Sequence, residues 1–324
     1  MQDTFGRTVD YLRISVTEAC NFRCIYCAPN GHSTPSGSPL SVEDIQRVVR
    51  AAVALGITKI RLTGGEPLLR RDIVKIVRAI SSIDGVQDLA LTTNAFLLGR
   101  LARELADAGL RRVNISLDTL QRDRFTHIVG VDAFDAVWAG IREAEAVGFA
   151  PLKINVVAMR GINDDEFTNF ARLTLDHPWH VRFIELMPVG STNVAQEFFD
   201  QHFISAAELI ARLPELAKSD SPQGSGPART YRLPEAQATI GFITPASEHF
   251  CNACNRLRVT AQGAICACLF GDRGEDMRGA LCEGISEIKL QELLARAIDS
   301  KPEQHPFGDG FKITSVDAMS KIGG

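Results

Sequence analysis

The sequence predicts an α/β fold made of parallel strands. Six short strand-like runs alternate with segments of helical spacing over roughly the first 190 residues. A chain of 324 residues with 45% hydrophobic and 23% charged side chains is long and apolar enough for a substantial core. Alternation of this kind gives parallel βα units with right-handed crossovers. The pattern alone leaves two architectures open, an open doubly wound sheet and a barrel that is complete or incomplete.

Each predicted element has its own signal. The first helix starts at a capping box formed by Ser41 and Asp44 and ends at Gly56. Apolar residues three and four positions apart mark the later helices. Polar motifs follow the strands, as expected where the carboxyl ends of parallel strands form an active-site rim. The predicted strands are 11–16, 59–63, 89–93, 113–117, 153–157 and 181–186, and the later helices cover 73–80, 98–105, 134–141 and 164–173.

The pattern changes after about residue 190. A helix is predicted over 205–216, a Ser-, Gly- and Pro-rich stretch follows over 219–228, and short strand-like runs with five cysteines fill 230–282. We therefore predict two domains, a partial barrel over 1–190 and a smaller cluster- and substrate-binding region over 191–324.

Bulk composition excludes several classes of protein. A net charge of −4 argues against general binding to nucleic acid or a membrane surface. No apolar run has the length of a membrane span, and the first residues carry no signal-peptide pattern. We expect a cytoplasmic protein, in which the eight cysteines are thiols rather than disulfides.

Cys20, Cys24 and Cys27 lie within eight residues. A structural zinc site takes four ligands and is closed, whereas three thiolates can hold three irons of a [4Fe–4S] cluster and leave the fourth iron open. This spacing favours a cluster over three unrelated cysteines or a partial zinc site. Tyr26 adjoins the third cysteine, where its ring could lie against a planar group.

The cysteine motif, followed by Gly64-Gly65-Glu66-Pro67, resembles the radical S-adenosylmethionine (SAM) superfamily. The resemblance implies an incomplete (βα)6 TIM-type barrel with a small C-terminal cluster-binding domain. It also implies that the open iron binds the amino and carboxylate groups of SAM, which is cleaved to a 5′-deoxyadenosyl radical. The glycines permit close backbone approach, and a strand edge or a carboxylate can accept a hydrogen bond from the methionine ammonium.

A second cysteine group lies near the C-terminus, where Cys251 and Cys254 are followed by Cys266 and Cys268. On spacing alone, these four thiols favour a structural zinc site. With Asn255-Arg256-Leu257-Arg258, the segment is similar to the GTP 3′,8-cyclase family. That resemblance implies a second [4Fe–4S] cluster on Cys251, Cys254 and Cys268, whose open iron contacts guanine. Cys266 departs from the family pattern, either as a fourth thiolate that closes the site or as a free thiol.

Arginines at or near the strands of a slightly acidic chain suggest a polyanionic ligand, because a guanidinium group can donate two hydrogen bonds to phosphate oxygens. No P-loop motif is present. By position, the family resemblance implies that Arg13 acts in the radical step or the reduction after it. It places Tyr26, Gly65, Ser116 and Met187 near SAM, and Arg13, Arg61, Thr92, Lys153, Arg182, Arg256 and Arg258 near GTP.

The chain ends in Gly323-Gly324, which by composition is a frayed terminus. The resemblance implies instead that this tail enters the active site and is required for activity. It further implies conversion of GTP to (8S)-3′,8-cyclo-7,8-dihydroguanosine 5′-triphosphate in molybdenum cofactor biosynthesis, with an electron donor such as flavodoxin or ferredoxin. A homodimer is one arrangement that the sequence leaves open. Two alternatives are a peptide-modifying radical SAM enzyme with an auxiliary cluster and a non-catalytic iron–sulfur or zinc protein.

Overall fold

One continuous sheet organises the chain. The computed structural model describes residues 1–28, 37–188, 193–221, 226–271, 274–305 and 319–322. In these ranges the strands are β1 (Tyr11–Ser15), β2 (Lys59–Thr63), β3 (Asp88–Thr93), β4 (Arg112–Ser116), β5 (Leu152–Ala158), β6 (Trp179–Glu185), β7 (Ala217–Lys218), β8 (Arg229–Arg232), β9 (Ile240–Ile243), β10 (Arg256–Val259) and β11 (Ile265–Cys266).

Helices follow most of the parallel strands. Within the described residues they are α1 (Val42–Ala54), α2 (Ile73–Ser81), α3 (Leu98–Asp107), α4 (Arg122–Val129), α5 (Phe134–Ala146), α6 (Phe167–Asp176), α7 (Asn193–His202), α8 (Ala206–Ala211), α9 (Arg278–Cys282), α10 (Glu287–Asp299) and α11 (Met319–Ile322). No helix in the described part of the chain has the length and hydropathy needed to cross a membrane.

The strand order is β11-β10-β1-β2-β3-β4-β5-β6-β9-β8-β7. The run from β10 through β1–β6 to β9 is parallel throughout, and β11, β8 and β7 add antiparallel edges. Among the described residues no ladder joins β11 to β7, so the sheet is an incomplete barrel. The predicted α/β fold is confirmed.

The C-terminal region shares this sheet. Strand β9 pairs with β6 and β10 pairs with β1, so strands from beyond residue 190 extend both sides of the six-strand core. The domain boundary near residue 190 stays a prediction. The helix predicted over 205–216 is shorter, because Pro214 disfavours helical backbone in the residue before it and α8 ends at Ala211.

Strand alternation decides which side chains enter the barrel. In β1, Leu12 and Ile14 are fully buried in the hydrophobic core, whereas Arg13 points to the opposite face. The surrounding helices complete the core with apolar stripes; α1, for example, buries Ile45 and Val48 and begins at the predicted capping box. The sheet therefore packs its apolar face against helices and leaves its polar face to surround a cavity.

Candidate active site

A cavity of about 320 Å³ lies inside the curved sheet, towards the carboxyl ends of its strands. All eight parallel strands contribute side chains to its wall, so the sheet curves around it. The lining residues from these strands include Tyr11 and Arg13 (β1), Arg61 and Thr63 (β2), Thr92 (β3), Ser116 (β4), Asn155 and Val157 (β5), Arg182 and Ile184 (β6), Ile243 (β9), and Arg256 and Arg258 (β10).

The first cysteine group follows β1 and opens into this cavity. Cys20, Cys24 and Cys27 all line it, and all are half-buried thiols that form no disulfide. The amide of Cys27 donates to the carbonyl of Cys24 at 2.9 Å, so a tight turn joins the two residues. Burial raises the pKa of Cys20 to about 11 and that of Cys24 well above its usual range. Metal coordination would deprotonate them, and three thiols facing one space fit a [4Fe–4S] cluster with an open iron.

Two glycines let β2 approach the cysteine loop. A Cβ built on Gly65 would lie 2.3 Å from the carbonyl oxygen of Ala19, and one on Gly64 would lie 2.4 Å from that of Thr17. Gly64 also has a φ of +153°. The amide of Gly65 donates to Thr17 at 2.8 Å. The glycines therefore bring the strand end within hydrogen-bond distance of the loop that carries Cys20.

Glu66 connects that strand end to the next strand. Its buried carboxylate accepts hydrogen bonds from the Leu68 amide (2.9 Å), the Thr93 hydroxyl (2.7 Å) and the Asn94 amide (2.7 Å). Burial raises its pKa to about 7 against the lowering effect of these bonds. The carboxylate thus has a structural role, and the strand edge is the better candidate acceptor for an ammonium.

Tyr26 and Asp118 join the cysteine loop to the ends of β4 and β5. The Tyr26 hydroxyl donates to Asp118 Oδ2 at 2.8 Å, and the Val157 amide donates to Asp118 Oδ1 at 2.8 Å. Burial raises the pKa of Asp118 to about 6, although both hydrogen bonds favour its ionised form. The arrangement fixes the tyrosine ring beside Cys27, where it lines the cavity.

The second cysteine group lies far from the first in sequence, but it lines the same cavity. Cys251, Cys254 and Cys268 all face it, and the Cys254 amide donates to the Cys251 carbonyl at 3.1 Å. Burial opposes ionisation of Cys254, but the charges of Arg256 and Lys301 outweigh it and lower its pKa to about 7. These thiols also fit a cluster with one open iron.

Cys266 is placed differently from these three thiols. It is buried in a small apolar cluster with Ile322, against which Met187 and Met319 pack, and it is not among the residues that line the cavity. This position fits a buried thiol better than a fourth ligand.

Arginines give the cavity its charge. Arg61, Arg182 and Arg258 are each less than 10% exposed, and all three line the cavity with Arg13 and Arg256. Burial and repulsion from Arg61 lower the pKa of Arg182 to about 9, while burial and the charge of Arg256 lower that of Arg258 to about 10. Both remain charged at neutral pH. Buried cations crowded in this way favour an anionic ligand.

The acidic lining residues do not neutralise this charge fully. Among the described residues of the wall, the acids are Glu66, Asp118 and Glu185, and each accepts hydrogen bonds from backbone amides. Several polar atoms also lack a partner within the described chain. They are Nε of Arg61, Oγ1 of Thr92, Oδ1 of Asn155 and the Tyr11 hydroxyl. Buried polar atoms of this kind usually bind a ligand or water.

Lys153 lies on the same face of β5 as Asn155 and Val157, but it is not a lining residue of the cavity. It is 1% exposed. Burial, then repulsion from Arg182, Arg112 and Arg61, lowers its pKa to about 6. The structure therefore places this predicted GTP-binding residue behind the cavity wall, whereas the arginines line the cavity.

The remaining predicted residues divide into two groups. Gly65, Thr92, Ser116 and Met187 line the cavity as expected from the family pattern. Gly323 and Gly324 lie outside the described residues, although Met319, shortly before them, lines the cavity.

Sequence reasoning missed several residues of the site. Asp118 belongs to the motif Ser116-Leu117-Asp118 that follows a predicted strand, although no role was predicted for it. Asn155 lies two residues after Lys153, on the same face of a strand, so its position also carried a usable signal. Lys301 has no local sequence signal, because its position beside Cys254 depends on packing between segments that are distant in sequence.

Fold and site together define a class of protein, the radical SAM enzymes. Residues 14–174 match the family model for the Radical SAM superfamily, and residues 179–307 match that for Molybdenum Cofactor Synthesis C. The crystal structure of Streptococcus suis SuiB has a TM-score of 0.58 to this chain at 15% identity, covering 89% of this chain and 68% of SuiB. At that identity the likeness supports the fold alone. Membership of the class implies SAM and a [4Fe–4S] cluster, for which Cys20, Cys24 and Cys27 are the fitting ligands.

Within this class, the chain belongs to the GTP 3′,8-cyclase family. It is 46% identical to the GTP 3′,8-cyclase of Pelotomaculum thermopropionicum and 47% identical to that of Desulforamulus reducens, with 100% of both chains covered in each comparison. The second predicted resemblance is confirmed as well.

Proposed function

We propose that this protein converts GTP to (8S)-3′,8-cyclo-7,8-dihydroguanosine 5′-triphosphate, the first step of molybdenum cofactor biosynthesis. One observation carries the proposal: two separate three-cysteine groups and five arginines line a single cavity. A cavity with this lining can hold a radical source, a nucleobase and a triphosphate at once.

The first cysteine group would hold the [4Fe–4S] cluster that binds SAM. Together these cofactors supply a carbon-centred radical that can take the hydrogen from C3′ of GTP. Gly64 and Gly65 hold the cluster loop against β2, while the Asp118–Tyr26 hydrogen bond fixes the ring that would flank SAM. Ser116 and Met187 complete this side of the pocket. The walls of the barrel would exclude water and other hydrogen donors from the reacting carbon.

The arginines would bind the triphosphate. Arg61 and Arg182 project from β2 and β6 into the cavity, and Arg256 and Arg258 project from β10. Guanidinium groups on different strands can bind phosphate oxygens from several directions. The ribose would then be held in one orientation while C3′ bonds to C8. Arg13 lies between these groups on β1 and is our candidate for assisting the radical step or the one-electron reduction that follows.

The second cysteine group would hold a second [4Fe–4S] cluster, which would offer an open iron as a binding site for guanine. The buried position of Cys266 supports three ligands rather than four. A one-electron donor such as flavodoxin or ferredoxin would supply the reducing equivalents.

The test is GTP turnover under anaerobic, reducing conditions. We expect wild-type protein to form the cyclised nucleotide and to cleave SAM. Cys20→Ala should abolish both, whereas Cys254→Ala should keep SAM cleavage and lose the cyclised product. Cys282→Ala changes an exposed cysteine and serves as the matched control, with activity unchanged. SAM cleavage by the wild type without any cyclised product would show that the substrate assignment is wrong.

A further inference from the structure

Lys301 is a buried lysine in the segment that follows α10. It is 3% exposed, and its ammonium donates to the carbonyl of Arg256 at 2.7 Å and that of Ala267 at 2.8 Å. Its third neighbour is the sulfur of Cys254, at 3.8 Å. An ammonium has three donors, so the three contacts account for all of them.

These contacts join two segments that are distant in sequence. Arg256 lies two residues after Cys254, and Ala267 comes directly before Cys268. One ammonium thus holds together the backbone segments that present two of the three thiols in the second group. Removing it would take a hydrogen-bond donor from two partly buried carbonyls.

Arg7 makes the equivalent connection to the third thiol. Its guanidinium donates to the carbonyl of Cys251 at 2.9 Å and to those of Pro302 and Glu303 at 2.8 and 3.0 Å. Residues 301–303 are therefore fixed against all three cysteine segments, by Lys301 on one side and Arg7 on the other. Arg7 is itself oriented by an ion pair with Asp3 at 2.5 Å.

The charge of Lys301 is compensated differently from that of Arg7. Within the described residues, the acceptors of Lys301 are two neutral carbonyls and a thiol, with no carboxylate among them. Burial of a cation costs free energy, and a nearby negative charge offsets that cost. Thiolates and the cluster they bind would supply that charge.

We propose that Lys301 is a positioning residue of the second cluster, which holds the Cys254 and Cys268 segments in place and raises the reduction potential of that cluster. The inference rests on the second cluster in the proposed function. A cation beside a ligand sulfur stabilises the added electron, because net charge and hydrogen bonds to sulfur set cluster potentials. Partners of metal ligands typically contribute about 10–100-fold in metal affinity or activity.

The test replaces Lys301 with methionine, a neutral side chain of similar length. Anaerobically prepared protein is assayed for iron per chain and for the midpoint potential of each cluster by spectroscopic titration. We expect Lys301→Met to lower the second potential, leave the first unchanged, and reduce cyclisation about 10–100-fold while SAM cleavage continues. Lys289→Met, an exposed lysine on α10, removes the same charge elsewhere and should match the wild type.

Lys301→Arg keeps the charge and carries the test if the methionine variant loses its second cluster or does not fold. The arginine variant should retain the cluster with a potential near that of the wild type. A second-cluster potential in Lys301→Met equal to that of the wild type would overturn the proposal. Loss of the cluster from both variants would also overturn it, since charge would then not be what matters.

The metal content and product formation of the wild-type protein distinguish failure of this inference from failure of the proposed function. If wild-type protein holds one cluster, or a cluster and a zinc ion, the proposed function fails and the electronic role of Lys301 fails with it. If the wild type holds two clusters and forms product, only the comparison of Lys301 variants decides.

Discussion

Lys153 is buried among positive charges, and its burial has a measurable consequence. Its pKa is about 6 in the folded protein, well below the value near 10 of an unfolded chain. Folding therefore opposes protonation of Lys153. The resulting destabilisation is complete below about pH 6 and fades as the pH rises towards the unfolded value. A bound triphosphate would reverse this effect by supplying negative charge.

Lys153→Met should therefore stabilise the protein in the absence of GTP and weaken its response to GTP. We expect a gain of about 0.5–2 kcal/mol near neutral pH, larger at pH 6 than at pH 9. Thermal unfolding with and without GTP, across that pH range, measures both effects. Lys75→Met, at an exposed lysine on α2, is the control. An equal rise in melting temperature on GTP addition to wild type and Lys153→Met would contradict the assignment.

Asp118 is the second residue with a specific expected effect. Asp118→Ala removes the acceptor of both the Tyr26 hydroxyl and the Val157 amide, and an unsatisfied buried donor costs about 1–3 kcal/mol. We expect weaker SAM binding by equilibrium titration, because the Tyr26 ring is no longer fixed. Asp123→Ala, an exposed acid on α4, should bind SAM as the wild type does. Unchanged affinity in Asp118→Ala would mean that the ring is held by packing alone.

At the scale of elements, the contact between the end of β2 and the cysteine loop is the most sensitive. An alanine at residue 65 would place its methyl group 2.3 Å from a backbone oxygen, so the loop must move. Gly65→Ala should lose the first cluster and SAM cleavage, read as iron per chain and cleavage rate. Gly279→Ala adds a methyl group where no atom lies within 4 Å, and it should retain both. A Gly65→Ala variant with wild-type iron content would show that the loop tolerates displacement.

The sequence predicted elements whose signals are local. Strands β1–β6 follow from runs of apolar residues, and α1 from its capping box, which the structure contains. Helix α10 was missed although its N-cap Ser286 and buried Leu290 and Leu294 carry the same kind of signal. The pairing of β10 with β1 could not be predicted, because it joins strands that are about 240 residues apart and nothing local records their adjacency. Lys301 could not be predicted for the same reason, because its contacts join segments that are distant in sequence. Which arginines share a site was predicted only from the family resemblance.

At the scale of the whole molecule, both ends of the chain build one site. Strand β1 carries Arg13 and leads into the first cysteine loop, while the adjacent strand β10 directly follows the second. Parallel pairing of these two strands explains why two cysteine groups 230 residues apart in sequence line one cavity. The central claim is that each group holds its own [4Fe–4S] cluster.

Metal analysis of anaerobically prepared protein tests that claim most directly. Two clusters predict about eight irons and as many sulfides per chain, with no zinc. Cys266→Ala should leave this content unchanged, because Cys266 packs against Ile322 instead of lining the cavity. About four irons with one zinc, or a loss of metal in Cys266→Ala, would show that the second site is closed by four thiolates and would contradict the account.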